Sequence, residues 1–152
     1  MVDDVLEAAD AQGFRVMRIW GSLDVGDLND GSTSVGGGPK EGVYLQYWDP
    51  AAGRPAYNDG PNGLERLDYA IAKAGELGLR LVIPFVNNWN DFGGMDQYVR
   101  WRDISTPPDQ AWYHDSFYTD PVIKGWYRTG LPTSSTGRTR SPASATRTTR
   151  RS

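Results

Sequence analysis

The chain has no cysteine, which excludes both a disulfide framework and a thiolate metal site. It has a single histidine, His114, so a multi-histidine metal centre is excluded too, and neither a metal nor another cofactor is expected. No apolar run approaches the ~20 residues of a membrane-spanning helix, and the N-terminus lacks the basic-then-apolar pattern of a secretory leader. Acids and aromatics are missing altogether from residues 129–152. All 19 acids and all 18 aromatic residues lie before that point. The formal net charge of −3 therefore hides an acidic body and a terminal stretch with five Arg and no acid. Five Arg without interleaved aromatics attract nucleic acid only weakly and in a salt-sensitive way, so no nucleic-acid partner is expected. The total of 152 residues suits one domain with a sizeable core.

What is present centres on Leu79 to Trp101. Leu81, Val82, Ile83, Phe85 and Val86 form an apolar run too short for a helix and rich in β-branched side chains. This predicts a strand buried on both faces, as in parallel sheets. The run breaks into Asn87, Asn88, Trp89, Asn90 and Asp91, then Gly93-Gly94. In α/β barrels ligands gather at the C-terminal ends of strands. Amides donate and accept hydrogen bonds, and an indole face packs on the C–H face of a sugar ring, so the cluster suits a polyhydroxylated ligand. The same Asn and Asp residues would equally serve to cap a turn.

The remaining body alternates helix and strand. Val5, Leu6 and Ala9 followed by Gly13 predict the end of a helix. Phe14 to Trp20 reads as a strand with Phe14, Val16, Arg18 and Trp20 on one face and Met17 and Ile19 on the other. Arg18 is then either a structural ion-pair partner or a guanidinium held at the mouth of a site. Residues 21–60 read as a long connection with a mobile Gly-rich piece at Ser32 to Gly38, and Gly42 to Trp48 as a short strand or hairpin arm. Asp59 to Gly78 is the strongest helix, capped by Asp59 or Asn62, with Leu64, Leu67, Ile71, Ala74 and Leu77 on its apolar face. Gln97 to Trp101 suggests a short helix, and a loop runs on through Pro107 and Pro108. Asp120 and Pro121 suit the cap and first turn of another helix carrying Val122, Ile123, Trp126 and Tyr127. The rhythm is βαβ, which implies parallel pairing of 14–20 with 79–86.

The stretches GFRVMRIW, GVYLQYWDP, YNDGPNGLERLDYAIAKAGELGLRLVIPFVNNWNDFGGMDQYVRW and HDSFYTDPVIKGWYR resemble the endo-β-1,4-mannanases of glycoside hydrolase family 5. The resemblance spans residues 2–128. It implies an α/β fold, a partial (β/α)8 TIM barrel running from the first helix to the start of the third, within a domain at 1–128. It implies retaining hydrolysis of mannan or galactomannan by two glutamates, in a secreted protein whose full-length relatives are monomeric. It places Arg18 where the family's nucleophile is supported and Asn87, Asn88 and Trp89 on the glycone side of the cleft. Trp20 joins them as a candidate sugar platform. Neither catalytic Glu has a counterpart here, so the chain is expected to be inactive; Asp24, Asp27 and Asp91 read as loop solvators and caps. The alternative is a non-catalytic carbohydrate-binding piece using Trp20, Trp48, Trp89 and the Asn residues.

Residues 129–152 are half Ser and Thr, 12 of 24, and predict a disordered tail. If one G is restored after the Arg128 codon, residues 129–151 can be back-translated as DWVAHLLDRTNTITGVRYxDDPTI, with x one of Ser, Pro, Thr or Ala, which completes the interrupted helix. The tail is accordingly read as the product of a shifted reading frame.

Overall fold

The computed structural model describes residues 1–27, 42–89, 91–104 and 114–130. The Gly-rich piece at 32–38, Asn90, the Pro107-Pro108 loop and the tail from 131 onward, each the subject of an expectation above, lie outside the described residues.

Helix α1 (Val2–Ala11) ends as its sequence requires, with Gly13 at φ +80° just beyond the last turn. It buries Leu6 and Ala9, whereas Val5, expected on the same face, is 54% exposed. Strand β1 (Val16–Arg18) pairs in parallel with the strand at Arg80–Val82, in the register Val16 to Arg80 and Arg18 to Val82. Backbone bonds extend the ladder at both ends, from Arg80 N–H to the Arg15 carbonyl and from Gly21 N–H to the Pro84 carbonyl.

Between those strands the predicted long connection contains a second sheet. Strand β2 (Asp24–Asp27) runs parallel to β3 (Gln46–Asp49), which turns back antiparallel as β4 (Arg54–Tyr57). The β3–β4 turn is tied by Asp49 Oδ1, which accepts the Ala51 and Ala52 N–H groups at 2.9 and 3.2 Å. The hairpin arm was legible in the sequence, but β2 was not. Its four residues, DVGD, combine two acids and a glycine and lack strand propensity.

Helix α2 (Leu64–Glu76) comes next, and β5 (Arg80–Val82) closes the unit. The cap of α2 is Gly63, not Asp59 or Asn62, because Asn58 organises the turn before it. Asn58 Oδ1 accepts the Gly60 N–H and its carbonyl accepts the Leu64 N–H. Leu6, Ala9, Ala74 and Leu79 form a core between α1, α2 and β5, with Met17, Leu77 and Leu81 packed against it. Ile71 stays 43% exposed despite its spacing. Exposed pairs seal the helix pair: Tyr69 donates to Asp3 at 2.8 Å and Lys73 to Glu7 at 2.8 Å.

Strand β5 is not buried on both faces. Leu79 is 5% exposed on the helix side, but Val82 and Phe85 are 52% and 45% exposed, and so is Val16 of β1 at 54%. Two strands covered by helices on one side leave their other face open.

Helices α3 (Gly94–Trp101), α4 (Ser116–Thr119) and α5 (Pro121–Gly130) build a second core. Tyr98, Val99 and Ile123 are at most 1% exposed, with Met95 and Phe117 beside them. The Tyr98 ring meets Trp101, Phe117 and Tyr127 edge-on at 5.3, 5.5 and 6.1 Å. Asp120 caps α5 by accepting the Val122 and Ile123 N–H groups at 2.8 and 2.9 Å, as Asp-Pro predicts. The carboxyl is held below its ordinary range, first by the Ile123 bond.

Three substitutions test this core by urea unfolding. Ile123→Ala should cost about 2–5 kcal/mol, because it empties a fully buried site. Asp120→Ala should cost about 1 kcal/mol through the lost cap. Ile71→Ala, on an open helix face, should cost less than either, with about 1 kcal/mol as the ceiling. An Ile71→Ala loss as large as that of Ile123→Ala would mean that α2 is covered in solution.

Candidate functional site

The parallel ladder brings the ends of β1 and β5 together, and the residues just past each strand converge there. A cavity of about 520 Å³ is lined by Arg18, Trp20, Val86, Asn87, Asn88, Trp89, Asp91 and Phe92. Its size is ordinary for a small-molecule or oligomer subsite. All five residues singled out in the sequence, Arg18, Trp20, Asn87, Asn88 and Trp89, lie on its wall.

They do not share one role. Trp20 and Trp89 are 42% and 55% exposed, so each presents indole surface to solvent. The Arg18 guanidinium lies 4.4 Å from the Trp20 ring centroid, a cation–π contact that fixes the two relative to each other. Trp20 also leans on Phe92, with centroids 6.3 Å apart at 46°. Asn88 is exposed. Asn87 is 5% exposed and its amide is spent on the turn: Oδ1 accepts the Trp89 N–H at 3.2 Å, and Nδ2 donates to the Asp91 carbonyl at 2.9 Å. At this residue the turn-capping reading describes the geometry.

The turn is wound by three consecutive residues with positive φ, Phe92 at 59°, Gly93 at 95° and Gly94 at 59°. A side chain on Gly94 would collide with the carbonyl oxygens of Asn87 and Trp89, so the close winding requires glycine there. Met95 N–H then bonds back to the Asn87 carbonyl at 2.9 Å, which joins the turn to the start of α3.

Trp48 is not at this site. It stacks on Trp101 at 6.3 Å and meets Trp126 edge-on at 5.5 Å, in the second core. Asp24 is not a loop solvator either. It is 3% exposed on β2, and burial pushes its carboxyl up to about 8 although the Gly94 N–H hydrogen bond pulls the other way. Oδ2 has no partner among the described residues. Around it runs a polar chain: Tyr98 OH donates to Gln46 Oε1 at 2.8 Å, and Gln46 Nε2 donates to the Tyr57 hydroxyl. The Tyr57 hydroxyl is raised to about 12, chiefly by burial. Sequence reasoning missed this layer because an Asp beside loop residues looks solvated; the one available signal was the alternation of Leu23 and Val25 around it.

His114 is buried and sits 3.3 Å from Asp96 Oδ1, joining the segment before α4 to the first turn of α3. Burial raises Asp96, and the neighbouring His114 opposes that. Among the described residues no group of three or more His, Cys, Asp or Glu is arranged to hold a metal ion, and no helix is long and apolar enough to cross a membrane.

No family model matches the chain. It is 44% identical over 98 residues to mannan endo-1,4-beta-mannosidase F of Aspergillus clavatus, a match covering 64% of this chain and 20% of that protein. Two solved endo-1,4-beta-mannanases share its structure. That of Rhizomucor miehei gives a TM-score of 0.63 at 29% identity, over 84% of this chain and 30% of the other. That of Thermotoga petrophila gives 0.57 at 45% identity, over 85% and 32%. The resemblance to endo-mannanases read in the sequence is thus a similarity of sequence and of structure together. The chain spans about a fifth to a third of the length of these relatives.

Asp24 supplies a pH prediction. In the unfolded chain its carboxyl releases its proton near 3.8, while the folded chain retains it to about 8. Between those values the unfolded state binds fewer protons, so this group's contribution to stability is full below 3.8 and is lost as pH rises toward 8. Urea unfolding of the wild type and Asp24→Asn at pH 4, 6 and 8 should show the wild type losing stability relative to the variant at each step. Parallel curves would mean that the carboxyl is solvated.

Proposed function

We propose that the cavity at the ends of β1 and β5 is a carbohydrate cleft for β-1,4-linked mannan. On this reading the chain descends from a retaining endo-1,4-β-mannosidase, as one part of a (β/α)8 barrel comprising residues 1–128. The observation that carries the proposal is the convergence of Arg18, Trp20, Asn88 and Trp89 on one wall, in a chain similar to mannanases. Exposed indoles give apolar faces for sugar rings, and the amide and guanidinium offer hydrogen bonds to hydroxyls. The barrel reading draws support from the open face of the β1–β5 pair, because parallel sheets are ordinarily covered on both sides.

The chain by itself binds without hydrolysing. Retaining hydrolysis takes two carboxyl groups roughly 5–5.5 Å apart. Asp91 is the one acid on the cavity wall among the described residues. Glu7 is paired with Lys73 on the helix surface, and Glu65 and Glu76 are exposed on α2. By the same descent the parent enzyme is secreted and monomeric. Residues 129–152 are the shifted-frame product of the parent's third helix and the segment after it, a reading supported by a stretch without acids or aromatics after a body that holds all of both. Resequencing the gene across the Arg128 codon tests that point, and an intact frame confirmed there refutes it.

Mannohexaose titrated into the chain should quench or shift its tryptophan fluorescence. Trp89→Ala should weaken the binding by about threefold to tenfold, the worth of one aromatic face. Galactomannan should yield no reducing sugar above a buffer control. Unchanged affinity in Trp89→Ala would remove the cleft from this wall, and turnover that survives repurification would place catalytic carboxylates elsewhere in the chain.

A further inference from the structure

The cleft wall stands on a turn, and the turn stands on a buried acid that does not reach the cleft. Asp24 comes from β2, far before the turn in sequence, yet both its backbone and its side chain meet it. Its N–H donates to the Phe92 carbonyl at 2.9 Å, and its carboxyl faces the Gly94 N–H, which draws the carboxyl's pKa down against burial. The approach is close enough that a Cβ on Gly93 would lie 2.6 Å from the Asp24 Cβ and 3.1 Å from its carbonyl oxygen. Residues 92 to 94 are the three with positive φ, and left-handed backbone of this kind persists only where the surroundings hold it. Asn87 holds the turn from inside, through Trp89 and Asp91. Asp24 holds it from outside, at the point where it passes into α3.

We propose that Asp24 is the positioning residue of the 87–94 turn, holding Asn88 and Trp89 at the cleft wall through its N–H bond to Phe92 and its side chain packed against Gly93 and the Gly94 N–H. The ligand half of this inference rests on the carbohydrate reading given above; the structural half stands without it. The groups facing Asp24 are the Tyr57 hydroxyl on β4, the Tyr98 hydroxyl on α3, and the neutral Gln46 amide on β3 between them. No cation is within ion-pair distance of it among the described residues. An N-terminal helix turn favours a negative charge, but full burial opposes it more strongly, so the acid works in its neutral form. Ionisation near pH 8 places a charge against Oδ2, which has no donor among the described residues. The turn then has to open to admit water, and the cleft wall moves with it.

The test uses the whole chain, ¹⁵N-labelled, as wild type, Asp24→Asn and Asp24→Ala. In the wild type without ligand, the Gly94 amide and the Trp89 indole should titrate together with a midpoint near pH 8. Asp24→Asn keeps the acceptor and the shape, so at pH 6 it should match the wild type and show no such midpoint. Asp24→Ala should exchange its Gly94 amide about fivefold faster at pH 6 and bind mannohexaose about fivefold more weakly, the worth of one lost hydrogen bond. A Gly94 or Trp89 titration that survives in Asp24→Asn overturns the proposal, as does unaltered Gly94 exchange in Asp24→Ala. If Asp24→Ala does not fold, the comparison of wild type with Asp24→Asn decides alone. A wild type that binds no mannohexaose refutes the carbohydrate reading, and the ligand-free titrations still decide the role of Asp24.

Discussion

Burying the Asp24 carboxyl against the first turn of α3 is the constraint that the rest of this structure accommodates. A carboxylate removed from water is costly unless it is neutral or paired. Here it is surrounded by hydroxyl and amide groups, with the Gly94 N–H facing it. The contact joins β2 to α3, two elements with no sequence proximity. Around it Gln46 ties the hairpin sheet to Tyr98, whose ring anchors the aromatic core of α3, α4 and α5. The three-stranded sheet and the three-helix layer are therefore held together by one polar seam inside an aromatic shell. Such seams specify a unique packing when satisfied and are costly when one group is left over.

The other half of the molecule is simpler. Helices α1 and α2 cover one side of the β1–β5 ladder through Leu6, Ala9, Ala74 and Leu79, with one ion pair and one hydrogen bond sealing the outside. Exposed pairs of this sort add little, so the burial of apolar surface carries the helix pair. The opposite side of the ladder shows Val16, Val82 and Phe85 to solvent. The cavity opens at the end of this ladder, where strands stop and turns begin. A rigid parallel pair below and a tightly wound turn beside it suit a site whose polar groups must be fixed before a ligand arrives.

Indole and amide groups on the cavity wall act through different physics. Trp20 is held by the Arg18 guanidinium on its face and by Phe92 at its side, so its plane is set without a ligand. Trp89 and Asn88 depend on the turn, and the turn depends on Asn87, the glycine pair and Asp24. The two solved mannanases share the fold that carries this wall, each over nearly the same share of the chain.

Much of this was legible in the residues themselves. Helical spacing ending in Gly78, the apolar run after it, Asp120 before Pro121 and the NNW cluster each carry a local signal, because caps, periodicity and strand ends are set by neighbours in sequence. The parallel pairing of β1 with β5 came from the βαβ rhythm. The features that the residues did not disclose were decided by contacts far apart in the chain. DVGD at 24–27 is a strand because β3 offers it a ladder, against its own propensity. Trp48 lies apart from the cavity because it packs on Trp101 and Trp126. Val82 and Phe85 are exposed because a strand's burial depends on what lies across from it, not on its own apolarity. Asp24 changed from a solvated acid to a buried neutral one for the same reason: an ionisable group's state is set by the dielectric and the donors around it, and only the folded chain places those.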